Sequence, residues 1–424
     1  MTPVGLLRRF VVVASLVVIC VCLLNALVDP YGYLGTPGID GLTTNKPRAL
    51  LHDRFFKAGL MRRRPADCLL AGSSRIGEGI PADHSVFADC REVLDVSFAG
   101  PNVDEMTGIV EAAEGRHSVS RVVLSLDFFA FNATRDPTRG GNTDTFSDGA
   151  LSRLRNIVGA LGSTDVAIDS ILTIAGQRTP VFYRPDGTVN QDYLAGIEAQ
   201  RPTRSTFLRG VRGYIFHHLP APEHRFVLSQ ESRQPLAQLR EFLLSQHARG
   251  ISVHLFFSPA HAWQWELIDA LGLWPSWEQW KREVVAANES AALQAGRPPF
   301  PLWDFADYDG PALEEVTEDR QAKRPLDHYW DSSHFKRNLG SLILRRMLEP
   351  GNDVAFGELR TASNVDEALA RTRAQRERWR AQHAADVAEI RSVVACYAPV
   401  QVLTRLRLSK GPGPVCQGLT AATR

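Results

Sequence analysis

Ser74, Asp331 and His334 are the residues of this chain whose types and spacing allow nucleophilic chemistry. A hydroxyl attacks a carbonyl when a base within hydrogen-bond reach removes its proton, and a histidine serves as that base when a third group fixes its tautomer. In DHYWDSSHF, 327–335, Asp331 and His334 lie three residues apart, so a short loop or first helical turn presents both side chains to one pocket. Ser74 sits in LLAGSSRIGEG, 69–79, an apolar run that enters a polar, glycine-bounded turn. At a strand-to-helix turn, N–H groups without helical partners favour the negative charge that develops in acyl transfer. Taken singly, each motif has an ordinary use: a Gly-Ser-Ser after a strand is turn chemistry, and an aspartate often caps a helix. Their joint occurrence at the ends of apolar runs is what points to a catalytic set. No GxxxxGK[ST] or GxGxxG pattern accompanies the turn, and there is no CxxC or HExxH spacing, so neither a phosphate loop nor a zinc site is expected.

The elements that must carry these residues follow a regular alternation. CLLAG (68–72), VLDVSFAG (93–100), RVVLSLDFF (121–129), ISVHLFFSPA (251–260) and PFPLWDF (299–305) are apolar runs of strand length. Helical patterns lie between or after them, among them VDEMTGIVEAAEG, PLAQLREFLLSQHARG and FKRNLGSLILRRML. This alternation predicts a parallel sheet covered on both faces. Sites in such sheets form at the carboxyl ends of the strands. There the sequence places Gly72–Arg75, Gly100–Asn102, Asp127 with Asn132, Ser258–His261 and finally the Asp331–His334 stretch. Residues from about 132 to 228 break the rhythm and read as an insertion. The charged helix from Asn364 and the Gly/Pro-rich tail read as an appendage outside the sheet.

A serine early and an Asp-x-x-His late is an order that resembles the SGNH (GDSL-like) hydrolases, over roughly residues 62–350 outside the insertion. The chain is also similar to the membrane-anchored envelope members that modify or handle acylated polysaccharides. The resemblance implies a three-layer α/β/α, flavodoxin-like fold with a central parallel sheet, spanning 63–350 and followed by a helical extension, 351–424. Gly72-Ser73-Ser74 stands at the family's Gly-Asp-Ser block without its aspartate, which makes Ser74 the nucleophile, with His334 as base and Asp331 as its orienting group. The N–H groups of Ser74 and Gly100 become oxyanion donors by the same correspondence. The family's third block, Gly-x-Asn-Asp, is replaced by Ser125-Leu126-Asp127-Phe128, so a carboxylate stands where an amide donates. An ionised carboxylate only accepts hydrogen bonds. Either Asp127 is protonated, or Asn102 or Asn132 substitutes, or the hole has two donors. Implied are a serine esterase or O-acyltransferase acting on acetyl or other acyl esters of envelope polysaccharide, with no metal or organic cofactor. A membrane acyltransferase is admitted as partner. The alternative, which the altered third block admits, is a weak or inactive glycan-binding or assembly protein on the same fold.

The wider composition constrains partners and compartment. In 424 residues the net charge is +1, which leaves no basic field for nucleic acid. Phe10–Val28 is uncharged and follows Arg8 and Arg9. About 19 residues at 1.5 Å each span roughly 28 Å, the thickness of a bilayer core. It reads as an uncleaved single-pass signal anchor rather than a cleaved signal peptide. By the positive-inside rule residues 1–9 are cytoplasmic, and the linker 29–62 and all that follows are periplasmic, with 10–28 in a bacterial inner membrane. Cys68, Cys90, Cys396 and Cys416 make an even set with three possible pairings. A Cys396–Cys416 bridge is expected ahead of Cys68–Cys90 because it would tie down the tail. Arg75, His261 and Trp263 are candidates for touching substrate, although a histidine at a strand end is more often structural. Trp263, Trp265, Trp274, Trp277 and Trp280 read first as packing, and otherwise as sugar-stacking or interfacial residues. His52, Arg54 and Lys57 read first as a solvated helix face, and otherwise as lining the pocket entrance. The arginines near 371–380 read as a solvated face too, or as contacts to anionic lipid.

Overall fold

A computed structural model describes residues 3–132, 145–146, 149–184, 186–218, 234–317 and 325–405 of the chain. The apolar N-terminus forms helix α1 (Pro3–Val28), with a mean hydropathy of 3.0 over an 18-residue window, long and apolar enough to cross a membrane. Helix α2 (Asp53–Arg63) leads into strand β1 (Cys68–Ala71), which is followed by α3 (Ser74–Gly79), β2 (Val93–Asp95), α4 (Val103–Glu114) and β3 (Arg121–Leu126). Four helices come next among the described residues: α5 (Ala150–Gly162), α6 (Thr164–Ala175), α7 (Gln191–Gln200) and α8 (Thr203–His218). The alternation then resumes with α9 (Gln234–Arg249), β4 (Ser252–Phe257), α10 (Ala262–Ala270), α11 (Trp274–Ala295), β5 (Leu302–Asp304) and α12 (Arg337–Leu348). It closes with β6 (Glu358–Leu359), α13 (Val365–Gln382) and α14 (Ala384–Arg405).

The result is a mixed α/β architecture around a six-stranded, mostly parallel sheet in the order β2-β1-β3-β4-β5-β6. Only β6 runs antiparallel, against β5. β1 and β3 are buried along almost their whole length, which requires helices on both faces. The order reverses between β1 and β3, where a crevice opens at the carboxyl ends.

Several expectations are corrected. The described part of the C-terminal extension is no appendage: β6 joins the sheet, and Leu369, Trp379, Ile390, Val393 and Tyr397 are buried in the main core, while the Gly/Pro-rich tail lies outside the described residues. The arginine-rich stretch is half folded inward, because Arg376 and Arg380 of α13 pair with Asp269 at the end of α10 and Arg380 also binds Glu266 at 2.8 Å. The five clustered tryptophans are all buried, so the first expectation of packing holds and the sugar-stacking alternative falls. Lys57 is fully buried, donating to the carbonyls of Asp95 and Gly187 at 2.9 Å each, and Arg54 forks onto Glu105. Cys68 pairs with Cys90 in a disulfide. Cys416 lies outside the described residues, and with it the expected Cys396–Cys416 bridge.

Candidate active site

The position of Ser74 is set by the turn that leaves β1. Gly72 has φ +145°, and a Cβ there would collide with Ser125 Oγ on β3. Ser73 then caps the next helix, its Oγ accepting the Arg75 N–H at 3.2 Å. Ser73 is fully buried, so of the two serines only Ser74, the first residue of α3, opens onto the cavity.

The other half of the site comes from the loop before α12. Tyr329 and Phe335 close that loop as an antiparallel bridge. Inside it, Asp331 Oδ1 accepts the N–H groups of Ser333 and His334 at 2.7 and 2.9 Å. Asp331 Oδ2 lies 2.9 Å from His334 Nδ1, and His334 Nε2 lies 2.9 Å from Ser74 Oγ. An acceptor on Nδ1 selects the tautomer whose Nε2 takes a proton from the serine. Sequence reasoning placed Ser74, Asp331 and His334 in one pocket, and the structure brings all three within hydrogen-bond reach across a 260-residue separation.

The electrostatics are less simple. Burial alone would raise the Asp331 pKa, but His334 and the two backbone donors hold it below the usual carboxylate range. Burial would lower that of His334, but the carboxylates of Asp331 and then Glu78 hold it well above the ordinary imidazole value. Glu78 lies one helical turn beyond Ser74, with Oε1 3.7 Å from His334 Nε2, and burial pushes its own carboxyl up to about 7. Tyr214 of α8 presents its hydroxyl 3.4 Å from the same nitrogen. Ser74 and His334 face a cavity of about 730 Å³ whose wall includes Gly100, Asn102 and the rings of Phe98, Phe129, Tyr183 and Tyr214.

The remaining candidates divide cleanly. Gly100, at φ +53°, and Asn102 are on the cavity wall. Asn102 caps α4 with its Oδ1, which accepts the Glu105 N–H at 2.8 Å, so its amide nitrogen is the group left for donation. Asp127 is no donor: it is buried with its Oδ1 2.7 Å from Arg75 Nη1. Arg75 is equally buried, bound to Asp127 and to Ser333 Oγ at 2.9 Å, and it ties the ends of β1 and β3 to the Asp331–His334 loop instead of touching substrate. Asn132 lies off the cavity, its amide donating to the His217 carbonyl at 3.2 Å. His261 and Trp263 do not line it either, and both are buried. His261 caps α10 and bonds the Glu314 carbonyl at 2.6 Å, and burial lowers its pKa to about 4, so the ring is neutral and structural. Sequence reasoning missed Glu78 and Tyr214, and it ranked the pocket entrance second for Arg54, which lines the cavity. Glu78 was legible, since residues i and i+4 share a helix face. Tyr214 carried no signal because its helix reaches the site only by tertiary packing.

No family model, curated protein or solved structure matches this chain.

Proposed function

We propose that the protein is a membrane-anchored serine esterase or O-acyltransferase of SGNH type, acting on acyl esters, acetyl foremost, of envelope polysaccharide. The observation that carries this reading is the relay Ser74 Oγ–His334 Nε2–Asp331 Oδ2, with both contacts at 2.9 Å. Ser74 Oγ attacks the ester carbonyl as His334 takes its proton, and the departing alcohol takes that proton back. Water then completes hydrolysis, or a sugar hydroxyl completes transfer. Backbone N–H groups at Ser74 and Gly100, with the Asn102 amide, are the donors assigned to the oxyanion. The strand order β2-β1-β3-β4-β5 supports a flavodoxin-like sheet, and the aromatic wall suits apolar acyl and sugar faces. Helix α1 is assigned as the inner-membrane anchor, with the bulk of the chain periplasmic, a compartment that favours the Cys68–Cys90 disulfide.

A second reading, a glycan-binding or assembly protein with weak or lost catalysis, draws on one observation. Asp127 is locked to Arg75 where the family has an amide donor, and losing one such donor costs about 100- to 1000-fold in rate. Fluorophosphonate labelling of the purified protein separates the two. Labelling that disappears in Ser74→Ala and His334→Ala, with turnover of a small acetyl ester, supports the enzyme. A chain that neither labels at Ser74 nor turns over the ester is the binding protein.

A further inference from the structure

Helix α6 is built inside out, and α5 leaves its apolar face uncovered. The inward face of α6 carries Val166, Asp169, Ser170 and Thr173, all buried, while Ile168, Ile171 and Leu172 point outward. Ile171 is 58 % exposed and Ile168 56 %. On α5 no residue is buried, and Leu151, Leu154 and Val158, spaced to share one face, are 57–80 % exposed. A helix that buries its polar face and exposes its apolar one is not arranged for water.

The inward polar face is spent on α1. Asn25, in the last turns of α1, donates to the carbonyls of Leu161 and Ser163 at the α5–α6 bend and accepts from Ser170 Oγ at 3.0 Å. Just past α1, Tyr31 donates to Asp169 Oδ2 at 2.7 Å, and Arg48 binds Asp169 Oδ1 at 2.7 Å. The bent pair is therefore fixed to the point where α1 ends, and both its helices pack against α1.

We infer that α5–α6 is an interfacial bent helix pair seated in the bilayer leaflet from which α1 emerges, with Leu151, Leu154, Val158, Ile168, Ile171 and Leu172 in the acyl–headgroup boundary. The exposed Arg153 and Arg155 on α5 supply charge for lipid phosphates. The pair does not cross the membrane, because both its ends are held by the same domain. Before α5, Phe146 is buried against Phe98, a cavity-wall residue, and Arg62 binds the Thr145 carbonyl at 3.0 Å. After α6, Gln177 exchanges hydrogen bonds with Asn45. The 64° bend between the helices fits a re-entrant or surface-lying pair.

This inference rests on α1 as a membrane anchor and is independent of catalysis at Ser74. The test uses the full chain in phospholipid nanodiscs, with a diazirine-bearing amino acid in place of Leu154 or Ile171. Leu16 in α1 serves as the lipid-exposed reference, and Leu293, 84 % exposed at the end of α11, as the water-exposed one. All four side chains are exposed, so the replacements leave the core intact. Irradiation is expected to yield phospholipid adducts at 154 and 171 comparable with Leu16 and on the order of tenfold above Leu293. Adducts at Leu16 without adducts at 154 and 171 overturn the seating of the pair in the leaflet. Crosslinks from 154 or 171 to a second copy of the chain overturn it in favour of a protein interface. Background yield at Leu16 as well overturns the anchor itself, and the interfacial pair with it.

Discussion

His334 faces two carboxylates, and only Asp331 is needed to orient it. Because Asp331 and Glu78 together hold the His334 pKa above its ordinary value, the ring is protonated, and useless as a base, to higher pH than a free imidazole. Esterase activity is therefore expected to rise with pH along a limb lying above about 6.5. Glu78→Gln removes one of the two charges, so the limb moves to lower pH in a profile of kcat/KM, whereas a purely structural Glu78 would leave the limb in place. Arg75 makes a different case. Its partners are 52 and 258 residues away, and beside Ser74 in the sequence it reads as a substrate contact. Arg75→Met leaves Asp127 buried without its counter-charge, at a cost of about 3–5 kcal/mol. Urea denaturation should show that loss, and Arg75→Met with Asp127→Leu should recover much of it.

At the scale of elements, the Ser74 helix and the His334 loop meet because α3 and α12 touch backbone to backbone. A Cβ on Gly340 would run into the Gly79 carbonyl, and one on Gly79 into the Phe335 ring. Gly340→Ala is expected to push α12 off α3, cost about 1–3 kcal/mol and lower kcat by misplacing His334. Thermal melts and single-ester kinetics measure both effects. The five parallel strands were legible from apolar runs, with their ends trimmed. The run 93–100 continues beside β1 past β2, with the Val96 N–H on the Leu70 carbonyl, before it turns to carry Gly100. β6 was not legible, since two exposed residues have no periodicity.

For the molecule as a whole, the last helices act as part of the core. α14 packs on α8, which brings Tyr214 to the site, and on α10. Truncation after Asn364 would uncover the partners of Leu369, Trp379, Ile390 and Val393, each worth about 1.5–3 kcal/mol when buried. The truncated chain is expected to melt well below the full one, or to aggregate, in circular-dichroism melts. A true appendage would leave the melting temperature unchanged.

What the sequence determined by itself was local: apolar runs that must become buried strands, the helix long enough for a membrane, and the two motifs that bracket the site. Those follow from periodicity and residue chemistry over a few neighbours. The tertiary structure alone decided which charges are neutralised, because Arg54, Lys57 and Arg376 look solvated, and Arg75 looks like a substrate contact, until their distant partners are known. It also decided the disulfide. Cys90 reaches Cys68 because β2 lies beside β1, with Val93 opposite Cys68, a pairing that spacing alone left among three. The outward apolar face of α5–α6 was hidden for the same reason: which side of a helix is outside depends on what the fold places against the other.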